Sequence, residues 1–211
     1  MISAAELIRV GSSAVADGGG IPLFGLVARS PLAVAGPVRA VSCPLGDNLA
    51  VQVGVTRAQP GEVLLVHVVG EGPPVAVWGE VMTVAALEVG LAGVVVDGAV
   101  RDVVAIADRG LPCFSRDVTP AGPAKAGGGS VDGEIHPCGV RAATGDWIVA
   151  DADGVVLISA GFVDRVAAAA VAKAGREPAL IEGLARGETT IELMGLDASA
   201  VEIGFDRRGS D

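Results

Sequence analysis

The sequence predicts a mixed α/β fold in which helices cover a central sheet, and three observations carry that prediction. Residues 62–69 (EVLLVHVV) form a β-branched apolar run between turn residues, which is typical of a buried strand. Two strand-to-helix units follow at residues 75–89 and 93–109, and a glycine closes each helix. Hydrophobic residues make up 51% of the 211 residues but aromatic residues only 3%, so Val, Ala, Leu and Ile must fill the core.

The other elements follow from the spacing of apolar, glycine and proline residues. In chain order we expect a helix and a glycine-rich turn up to residue 20, short strands broken by Pro and Gly at 31–55, a short strand at 112–115, a loop at 119–133, a hairpin at 146–158, and helices at 162–174 and 177–186. Gly175 and Pro178 predict a break between the last two helices. We therefore expect one domain over residues 1–211, with a C-terminal helical extension at about 161–195.

The charge balance and the cysteine content limit the partners and the compartment. The net charge of −10 argues against nucleic acid as a partner, because binding a phosphate backbone needs clustered Lys and Arg. Residues 1–10 carry Glu6 and Arg9 and no long apolar core, so we expect no signal peptide; no uncharged run is long enough for a spanning helix. The three cysteines lack a CxxC spacing, which favours reduced thiols. We expect a cytoplasmic protein without membrane or nucleic-acid partners.

Two predicted helix starts carry the residues that could do chemistry. At the first, Gly79 allows close approach of the backbone, and the amides of Val81 and Met82 can bind a carboxylate or phosphate at the positive end of the helix dipole. The alternative is that Glu80 simply occupies a first turn, where acidic residues are favoured anyway.

The Arg101-Asp102 pair at the second helix start also has two interpretations. In the functional one, Arg101 binds a carboxylate or oxyanion, while Asp102 supplies an oxygen ligand to a hard cation such as Mg²⁺. Mg²⁺ usually keeps several waters and takes only one or two protein carboxylates, so a single Asp ligand suffices. In the structural one, Asp102 is an N-cap and Arg101 a surface charge.

Residues 78–82 (WGEVM) and 93–102 (GVVVDGAVRD) resemble the signature of the 4-hydroxy-4-methyl-2-oxoglutarate aldolase / RraA-like family. That family carries an acidic residue, then twenty residues, then Arg-Asp, and here residues 81–100 separate Glu80 from Arg101. Glu80 stands where the best-known members have aspartate. Further segments are similar to family segments in the same order and spacing, so that the resemblance covers most of the chain: residues 46–50 (GDNLA), 59–63 (QPGEV) and 145–155 (GDWIVADADGV).

The resemblance implies a β/β/α swivelling-type fold, assembled as a homotrimer or as a hexamer of paired trimers, with active sites between subunits. It implies divalent-metal-dependent cleavage of a 4-hydroxy-2-oxo acid to pyruvate, with decarboxylation of oxaloacetate as a side activity. Asp102 would hold Mg²⁺, Mn²⁺ or Co²⁺, and Arg101 would stabilise the pyruvate enolate. Gly79, Val81 and Met82 would seat the substrate carboxylate.

The same resemblance implies that Glu80, or Glu177 from a neighbouring subunit, poises the base that takes the proton from the C4 hydroxyl. Two alternatives stay open. One is an RraA-like regulator that docks on a ribonuclease or helicase; such proteins typically lack the aspartate after the arginine, so Asp102 favours an enzyme. The other is a diverged lyase that acts on a different 2-oxo acid.

The histidines and cysteines are weaker candidates for a site. His67 lies inside a predicted strand and is expected to be a core residue with its hydrogen bonds satisfied. His136 precedes a proline in a predicted loop, where a functional role is the less favoured interpretation. The cysteines are expected to be small buried hydrophobes rather than nucleophiles: Cys43, Cys113 and Cys138.

Overall fold

The computed structural model describes residues 3–202, and the chain divides into two compact units, Met1–Val171 and Ala172–Asp211. The helices are α1 (Ala4–Asp17), α2 (Leu49–Arg57), α3 (Glu80–Glu88), α4 (Val103–Arg109), α5 (Val163–Ala174), α6 (Glu177–Ala185) and α7 (Thr190–Met194). The strands are β1 (Ile21–Pro22), β2 (Val27–Ala28), β3 (Val34–Pro44), β4 (Val63–Val69), β5 (Ala76–Trp78), β6 (Gly93–Val100), β7 (Cys113–Val118), β8 (Ser130–Val131), β9 (Trp147–Asp151) and β10 (Gly154–Ile158). That the whole chain forms one domain stays a prediction.

The strands of the first unit form one sheet, whose main path runs in the order β1-β10-β9-β3-β4-β6-β7-β2. Its centre is parallel, with β3, β4, β6 and β7 side by side. The flanks are antiparallel, because β9 joins β3 and β10 joins β9 in that sense on one side, while β2 joins β7 on the other. The short β5 pairs in parallel with the C-terminal half of β6. The predicted mixed α/β class is confirmed.

The prediction of several short strands at residues 31–55 is wrong. β3 is one unbroken strand, and the helix α2 follows it. β3 tolerates Gly36 and Pro37 because its pairing changes there: Pro37 pairs with β9, and Val38 already pairs with β4. A Cβ at position 36 would lie 2.5 Å from the Gly61 carbonyl oxygen, so the glycine permits close packing at this crossover.

Most other predicted elements are confirmed. α3, α4 and α5 and the β9–β10 hairpin lie within a few residues of their predicted bounds. α1 begins with a capping box, in which Ser3 and Glu6 satisfy each other's backbone N–H groups. Contrary to the prediction, Pro178 does not break the chain between α5 and α6. It lies in the first turn of α6, where its missing N–H costs no hydrogen bond. The break between α5 and α6 falls at residues 175–176.

Three apolar layers hold the first unit together. The first lies between the parallel strands and the helices α2, α3 and α4, and Leu64, Val94 and Ile106 are buried in it. The second covers the opposite face of the same strands and includes Phe114 and Ile148. The third packs α1 and the beginning of α5 against β9 and β10. In the described part of the chain, none of the helices has the length and apolar character needed to cross a membrane.

Candidate active site

Two strand-to-helix junctions meet at the C-terminal ends of two parallel strands. β5 and β6 pair in parallel with Trp78 opposite Val100, and the Arg101 N–H donates to the Trp78 carbonyl oxygen at 2.9 Å. The two strands therefore end side by side, and the helices that follow them, α3 and α4, pack against each other. Glu80 and Asp102, which lie 22 positions apart in sequence, are brought together in this way.

Gly79 is the point of closest approach between the two junctions. A Cβ at this position would lie 2.6 Å from Asp102 Oδ2 and 2.9 Å from Arg101 Cγ. Any side chain there would push the Arg101-Asp102 pair away from α3. The glycine is thus required by the packing of the site and not by its own backbone conformation, which is extended.

The Asp102 side chain turns away from its own helix. Asp102 occupies the N-cap position of α4 with a left-handed φ of 56°, which is uncommon for a residue other than glycine, and its carboxylate does not cap α4. Instead, Oδ2 accepts a hydrogen bond from the Glu80 N–H at 3.2 Å and lies 3.4 Å from Arg101 Nε. The side chain is 42% exposed, and Oδ1 accepts no hydrogen bond from residues 3–202. The simple N-cap interpretation therefore does not describe this residue.

Glu80 begins α3 and is held from α4. Its Oε1 accepts hydrogen bonds from Nε and Nη2 of Arg109 at 3.1 and 2.7 Å. Both side chains are about half exposed, so this ion pair contributes little to stability, on the order of 0–1 kcal/mol. It does fix the direction of the carboxylate, whose other oxygen accepts no hydrogen bond from the described residues.

A cleft of about 160 Å³ opens beside the junctions. Four residues predicted to bind substrate line it together: Gly79, Val81, Met82 and Arg101. The first N–H groups of α3 lack acceptors within their own helix, so this wall offers hydrogen-bond donors. Neither Glu80 nor Asp102 lines this cleft directly; Asp102 adjoins it through Arg101.

Three polar residues that line the cleft were not predicted from the sequence: Asn48, Gln52 and Lys125. Asn48 occupies the N-cap position of α2, its Nδ2 donates to the Val77 carbonyl oxygen at 3.1 Å, and its Oδ1 accepts from Gln52 Nε2 at 3.2 Å. Lys125 comes from the glycine-rich loop and brings a second cation to a cleft that already contains Arg101. The family segment GDNLA and the lysine in this loop were the available signals, but nothing in the sequence placed them beside Arg101.

The buried Trp78 closes the inner end of the cleft and holds the start of α3. Its Nε1 donates to Thr83 Oγ1 at 2.9 Å, and the Thr83 hydroxyl donates to the Gly79 carbonyl oxygen at 3.1 Å. Both donors are buried, so each would be costly to leave unpaired. These bonds fix the helix turn that presents the amides of Val81 and Met82.

The other predicted residues lie elsewhere. Glu177 is exposed in the first turn of α6, in the second compact unit, and its role stays a prediction. His67 Nδ1 lies 3.1 Å from Asp97 Oδ2, which confirms a satisfied histidine, although a half-buried one. His136 is exposed beside Glu134. Burial raises the pKa of the Cys43 and Cys113 thiols to about 12 and that of Cys138 to about 11, so the three are poor nucleophiles.

A divalent cation at Asp102 fits the donors that are present. Within residues 3–202, no three His, Cys, Asp or Glu side chains converge to form a metal site. A cation here would therefore take one protein carboxylate, and its remaining oxygens would come from water and substrate. The exposed Oδ1 of Asp102 is a hard oxygen donor of the kind that Mg²⁺ accepts while it keeps several waters.

Relatives in sequence carry aldolase names. A protein of Halalkalibacterium halodurans named "Putative 4-hydroxy-4-methyl-2-oxoglutarate aldolase" is 40% identical over 133 residues, which is 63% of each chain. The "4-hydroxy-4-methyl-2-oxoglutarate aldolase" of Thermus thermophilus is 35% identical over 112 residues, 53% of this chain and 68% of that protein. The chain thus spans less than two thirds of the length of the Halalkalibacterium relative.

Solved structures and a family model agree on the fold. The RNA-processing inhibitor RraA from Thermus thermophilus matches with a TM-score of 0.60 and 31% identity, over 66% of this chain and 84% of that one. An uncharacterised protein from Pseudomonas syringae matches with a TM-score of 0.77 and 23% identity, over 93% and 96% of the two chains, which supports the fold alone. The predicted RraA-like fold is confirmed. The family model described as RraA-like, Aldolase/RraA, matches residues 13–157, more than half of the sequence, and this chain belongs to that family.

Proposed function

We propose that this protein is a divalent-metal-dependent lyase that cleaves a 4-hydroxy-2-oxo acid, of the 4-hydroxy-4-methyl-2-oxoglutarate type, to pyruvate and a second oxo compound. The observation that carries the proposal is the Arg101-Asp102 pair, which retains unpaired hydrogen-bonding atoms beside a cleft lined by helix N–H groups. The aldolase names of relatives at 35–40% identity support the same reaction class.

The residues of the cleft would bind and orient the 2-oxo acid. The N–H groups of Val81 and Met82, at the positive end of α3, would receive the carboxylate next to the 2-oxo group. Arg101 would face the 2-oxo oxygen and donate to it. When bound at Asp102, Mg²⁺, Mn²⁺ or Co²⁺ would supply a Lewis acid that polarises this oxo group.

The reaction breaks the C3–C4 bond and leaves its electron pair on the pyruvate fragment as an enolate. Arg101 stabilises the charge that develops on the enolate oxygen. The C4 hydroxyl loses its proton to a base poised by Glu80, or by Glu177 of a neighbouring subunit, and C4 becomes an oxo carbon; return of this proton to C3 of the enolate completes pyruvate. Oxaloacetate gives the same enolate when it loses carbon dioxide, so decarboxylation of oxaloacetate is expected as a side activity.

Lys125 supports a substrate with two negative groups. It lines the cleft together with Arg101, so two cations face the cleft of a protein whose net charge is −10. A 2-oxo acid with a second carboxylate would place one anionic group at the α3 amides and the other toward Lys125.

We also propose that the chain acts as a homotrimer or hexamer. Among residues 3–202, three large apolar side chains are more than 70% exposed: Phe24 at 78%, Val81 at 78% and Val104 at 72%. Val81 lies at the cleft itself, so a neighbouring subunit that covers it would also reach the site. Light scattering of the eluting protein should give the mass of three or six chains; a monomer would contradict this proposal.

The regulatory alternative is favoured by one finding, the 31% identity to a structure named as the RNA-processing inhibitor RraA. In that case a surface, and not the cleft, would carry the function, and a ribonuclease or helicase would be the partner. Substitutions of Arg101 or Asp102 would then leave the biological effect unchanged.

The test is pyruvate release from 4-hydroxy-4-methyl-2-oxoglutarate and from oxaloacetate, coupled to lactate dehydrogenase, with Mg²⁺ and with EDTA. We expect release that EDTA abolishes and that Asp102→Asn lowers by about 100-fold or more, as loss of a metal ligand does. Asp108→Asn is the matched control, because Asp108 is an exposed aspartate of α4 that does not line the cleft. Folded wild-type protein that releases no pyruvate from either substrate would reject the proposal and leave the diverged lyase or the regulator.

A further inference from the structure

The loop that carries Lys125 is tied to the start of α2. Lys125 lies in the irregular segment between β7 and β8, where three successive glycines, residues 127–129, have positive φ values of 117°, 93° and 89°. Such a segment does not hold one conformation by itself. Two backbone hydrogen bonds connect it to the segment before α2: Ala124 N–H donates to the Gly46 carbonyl oxygen at 2.8 Å, and Asn48 N–H donates to the Ala124 carbonyl oxygen at 3.1 Å.

A single buried carboxylate completes this connection. Asp47 Oδ2 accepts hydrogen bonds from the N–H groups of Ala126 at 2.5 Å and Gly127 at 3.2 Å, the residues that directly follow Lys125. Its Oδ1 accepts from the Leu49 N–H at 2.8 Å, in the first turn of α2. Asp47 is only 6% exposed. The N–H of Leu49 lowers the pKa of Asp47, burial opposes this, and the N–H groups of Ala126 and Gly127 and the charge of Lys125 lower it further.

The two segments that Asp47 joins both supply residues to one cleft. Asn48, its neighbour in sequence, lines the cleft from α2, and Lys125 lines it from the loop. Asp47 itself does not line the cleft. Its carboxylate would therefore not contact a substrate in the cleft. Any effect on binding would pass through the residues that it holds by hydrogen bonds.

We propose that Asp47 is a positioning residue for substrate binding: its carboxylate fixes the loop at residues 124–127, so that the Lys125 ammonium stays at the cleft. This inference rests on the proposed function for its effect on substrate, and on the hydrogen bonds alone for its effect on the loop. The reason is the number of acceptors. The carboxylate accepts from the loop through Oδ2 and from Leu49 through Oδ1, whereas an asparagine carboxamide has one acceptor oxygen and must turn its NH₂ group either toward the Leu49 N–H or toward the two loop N–H groups.

Asp47→Asn should therefore weaken the joint between the loop and the start of α2, and so loosen the loop, without removing any group that contacts the substrate. With oxaloacetate and Mg²⁺ we expect KM to rise about 10-fold and kcat to change by less than about 3-fold, since the lost interaction acts on bound substrate and transition state alike. Lys125→Met should raise KM by a similar factor. In the double variant the two effects should not add, because the second change removes what the first has already displaced. Additive effects in the double variant would overturn the proposal.

Asp146→Asn is the matched control. Asp146 is also 6% exposed and accepts two backbone N–H groups, from Ala143 and Ala160, where Asp47 accepts three, but it does not line the cleft. It should lower the midpoint of thermal unfolding as much as Asp47→Asn does while leaving KM unchanged. An equal rise of KM in both variants would mean that Asp47 has only a structural role.

Hydrogen exchange of the full-length protein tests the loop independently of activity. Asp47→Asn should speed exchange of the Ala126 and Gly127 amides about 10-fold or more, and Asp146→Asn should leave them unchanged. If the wild-type protein releases no pyruvate, the proposed function fails while this measurement still decides the role of Asp47. Unchanged exchange at these two amides would overturn the role of Asp47 even in an active enzyme.

Discussion

Two arginine–aspartate pairs have their aspartates on strand β6 or just after it, and the pairs differ in how many of their hydrogen-bonding atoms are used. In the first, Asp97 Oδ1 accepts from Nε and Nη2 of Arg116 at 2.9 and 2.5 Å. Its Oδ2 accepts from the Cys138 N–H at 2.7 Å and lies 3.1 Å from His67 Nδ1. The side chain is 7% exposed, and its four contacts join β4, β6, β7 and the turn at residues 137–139. Both oxygens of this carboxylate therefore have their hydrogen-bond partners within the fold.

The second pair, Arg101 and Asp102, is open. Each side chain is 42% exposed, the contact between them is 3.4 Å long, and the guanidinium donates no hydrogen bond to another side chain or carbonyl among residues 3–202. The cleft beside Asp97 is larger, about 290 Å³ against about 160 Å³ beside Arg101. Cleft volume alone would therefore favour Asp97 and Arg116 over the pair that we propose acts on the substrate. Charged atoms that still lack partners are the better mark of a site that binds a ligand.

Removing Arg101 should have the largest effect on activity. Arg101→Ala should lower kcat/KM for pyruvate release by about 100- to 1,000-fold, or about 3–4 kcal/mol, because one stabiliser of the developing oxyanion is lost. The free energy of unfolding should change by less than about 0.5 kcal/mol, since no intramolecular hydrogen bond disappears. Kinetics and urea denaturation on the same preparation measure both.

Arg116→Ala is the reciprocal variant. It leaves a buried carboxylate without its cation, so it should destabilise the fold by about 2–3 kcal/mol and spare kcat/KM of the protein that remains folded. Unchanged kcat/KM in Arg101→Ala, or a loss in Arg116→Ala as large as in Arg101→Ala, would erase the distinction between the pairs.

Asp97→Asn should be the next largest change, and its effect depends on pH. Burial raises the pKa of Asp97, but the hydrogen bonds from His67, Cys138 and Arg116 outweigh burial and lower it from 3.8 to about 2. A shift of this size corresponds to about 2 kcal/mol of folding stability. Because the folded-state pKa lies below the unfolded value, this contribution is complete above about pH 5 and is lost as the pH falls toward about 2.

Urea denaturation of the wild type and of Asp97→Asn over this pH range measures the contribution. The difference in unfolding free energy should be about 2 kcal/mol at neutral pH and should shrink steadily below about pH 4. A difference that stays constant with pH would mean that packing, and not the charged state of Asp97, is responsible.

The sequence predicts those parts of the fold that depend on neighbouring residues and misses those that depend on partners far along the chain. β4, the start of β6 and the β9–β10 hairpin are β-branched runs between turn residues, and this local signal is enough. β3 was not predicted as one strand because Gly36 and Pro37 are typical of a break. Their tolerance depends on strand partners that come from β4 and β9, far along the chain.

The residues of the site also fall into those that local sequence predicts and those that only tertiary packing brings in. The strand-to-helix junctions at Gly79 and Arg101 follow from local pattern, and their family role follows from the resemblance. Asn48, Gln52 and Lys125 reach the cleft only through tertiary packing, so no periodicity or spacing could reveal them. That both carboxylate oxygens of Asp97 have partners was equally hidden, because those partners come from three separate segments.

Gly122→Ala should disturb Arg101 without affecting the pair of Asp97 and Arg116. A Cβ at position 122 would lie 2.6 Å from Arg101 Nη1, and the flexible guanidinium can move away at little cost in stability. We expect kcat/KM to fall about 5- to 10-fold, or about 1 kcal/mol, because a displaced catalytic group loses part of its alignment. Gly161→Ala is the control, since a Cβ there meets nothing within 4 Å. Equal activity in the two variants would show that the exact position of Arg101 is unimportant.

The smallest effect should come from Arg109, which holds Glu80. Arg109→Met removes an ion pair whose side chains are 48% and 42% exposed, so the fold should lose less than about 1 kcal/mol. If the Glu80 carboxylate poises the base, freeing it should still lower kcat about 2- to 3-fold, and high salt should produce part of the same loss in the wild type. Arg141→Met breaks the similar exposed pair with Glu134, away from the cleft, and should leave kcat unchanged.

A double-mutant cycle assigns the effect of Arg109 to Glu80. In the Glu80→Gln background, Arg109→Met should change kcat no further, because the carboxylate that Arg109 directs is already gone. A further loss in that background would mean that Arg109 acts on the reaction by another route. The ion pair of Glu80 and Arg109 would then be an exposed contact that does not poise the base, and Arg101 with Asp102 would be left as the residues proposed to act at this site.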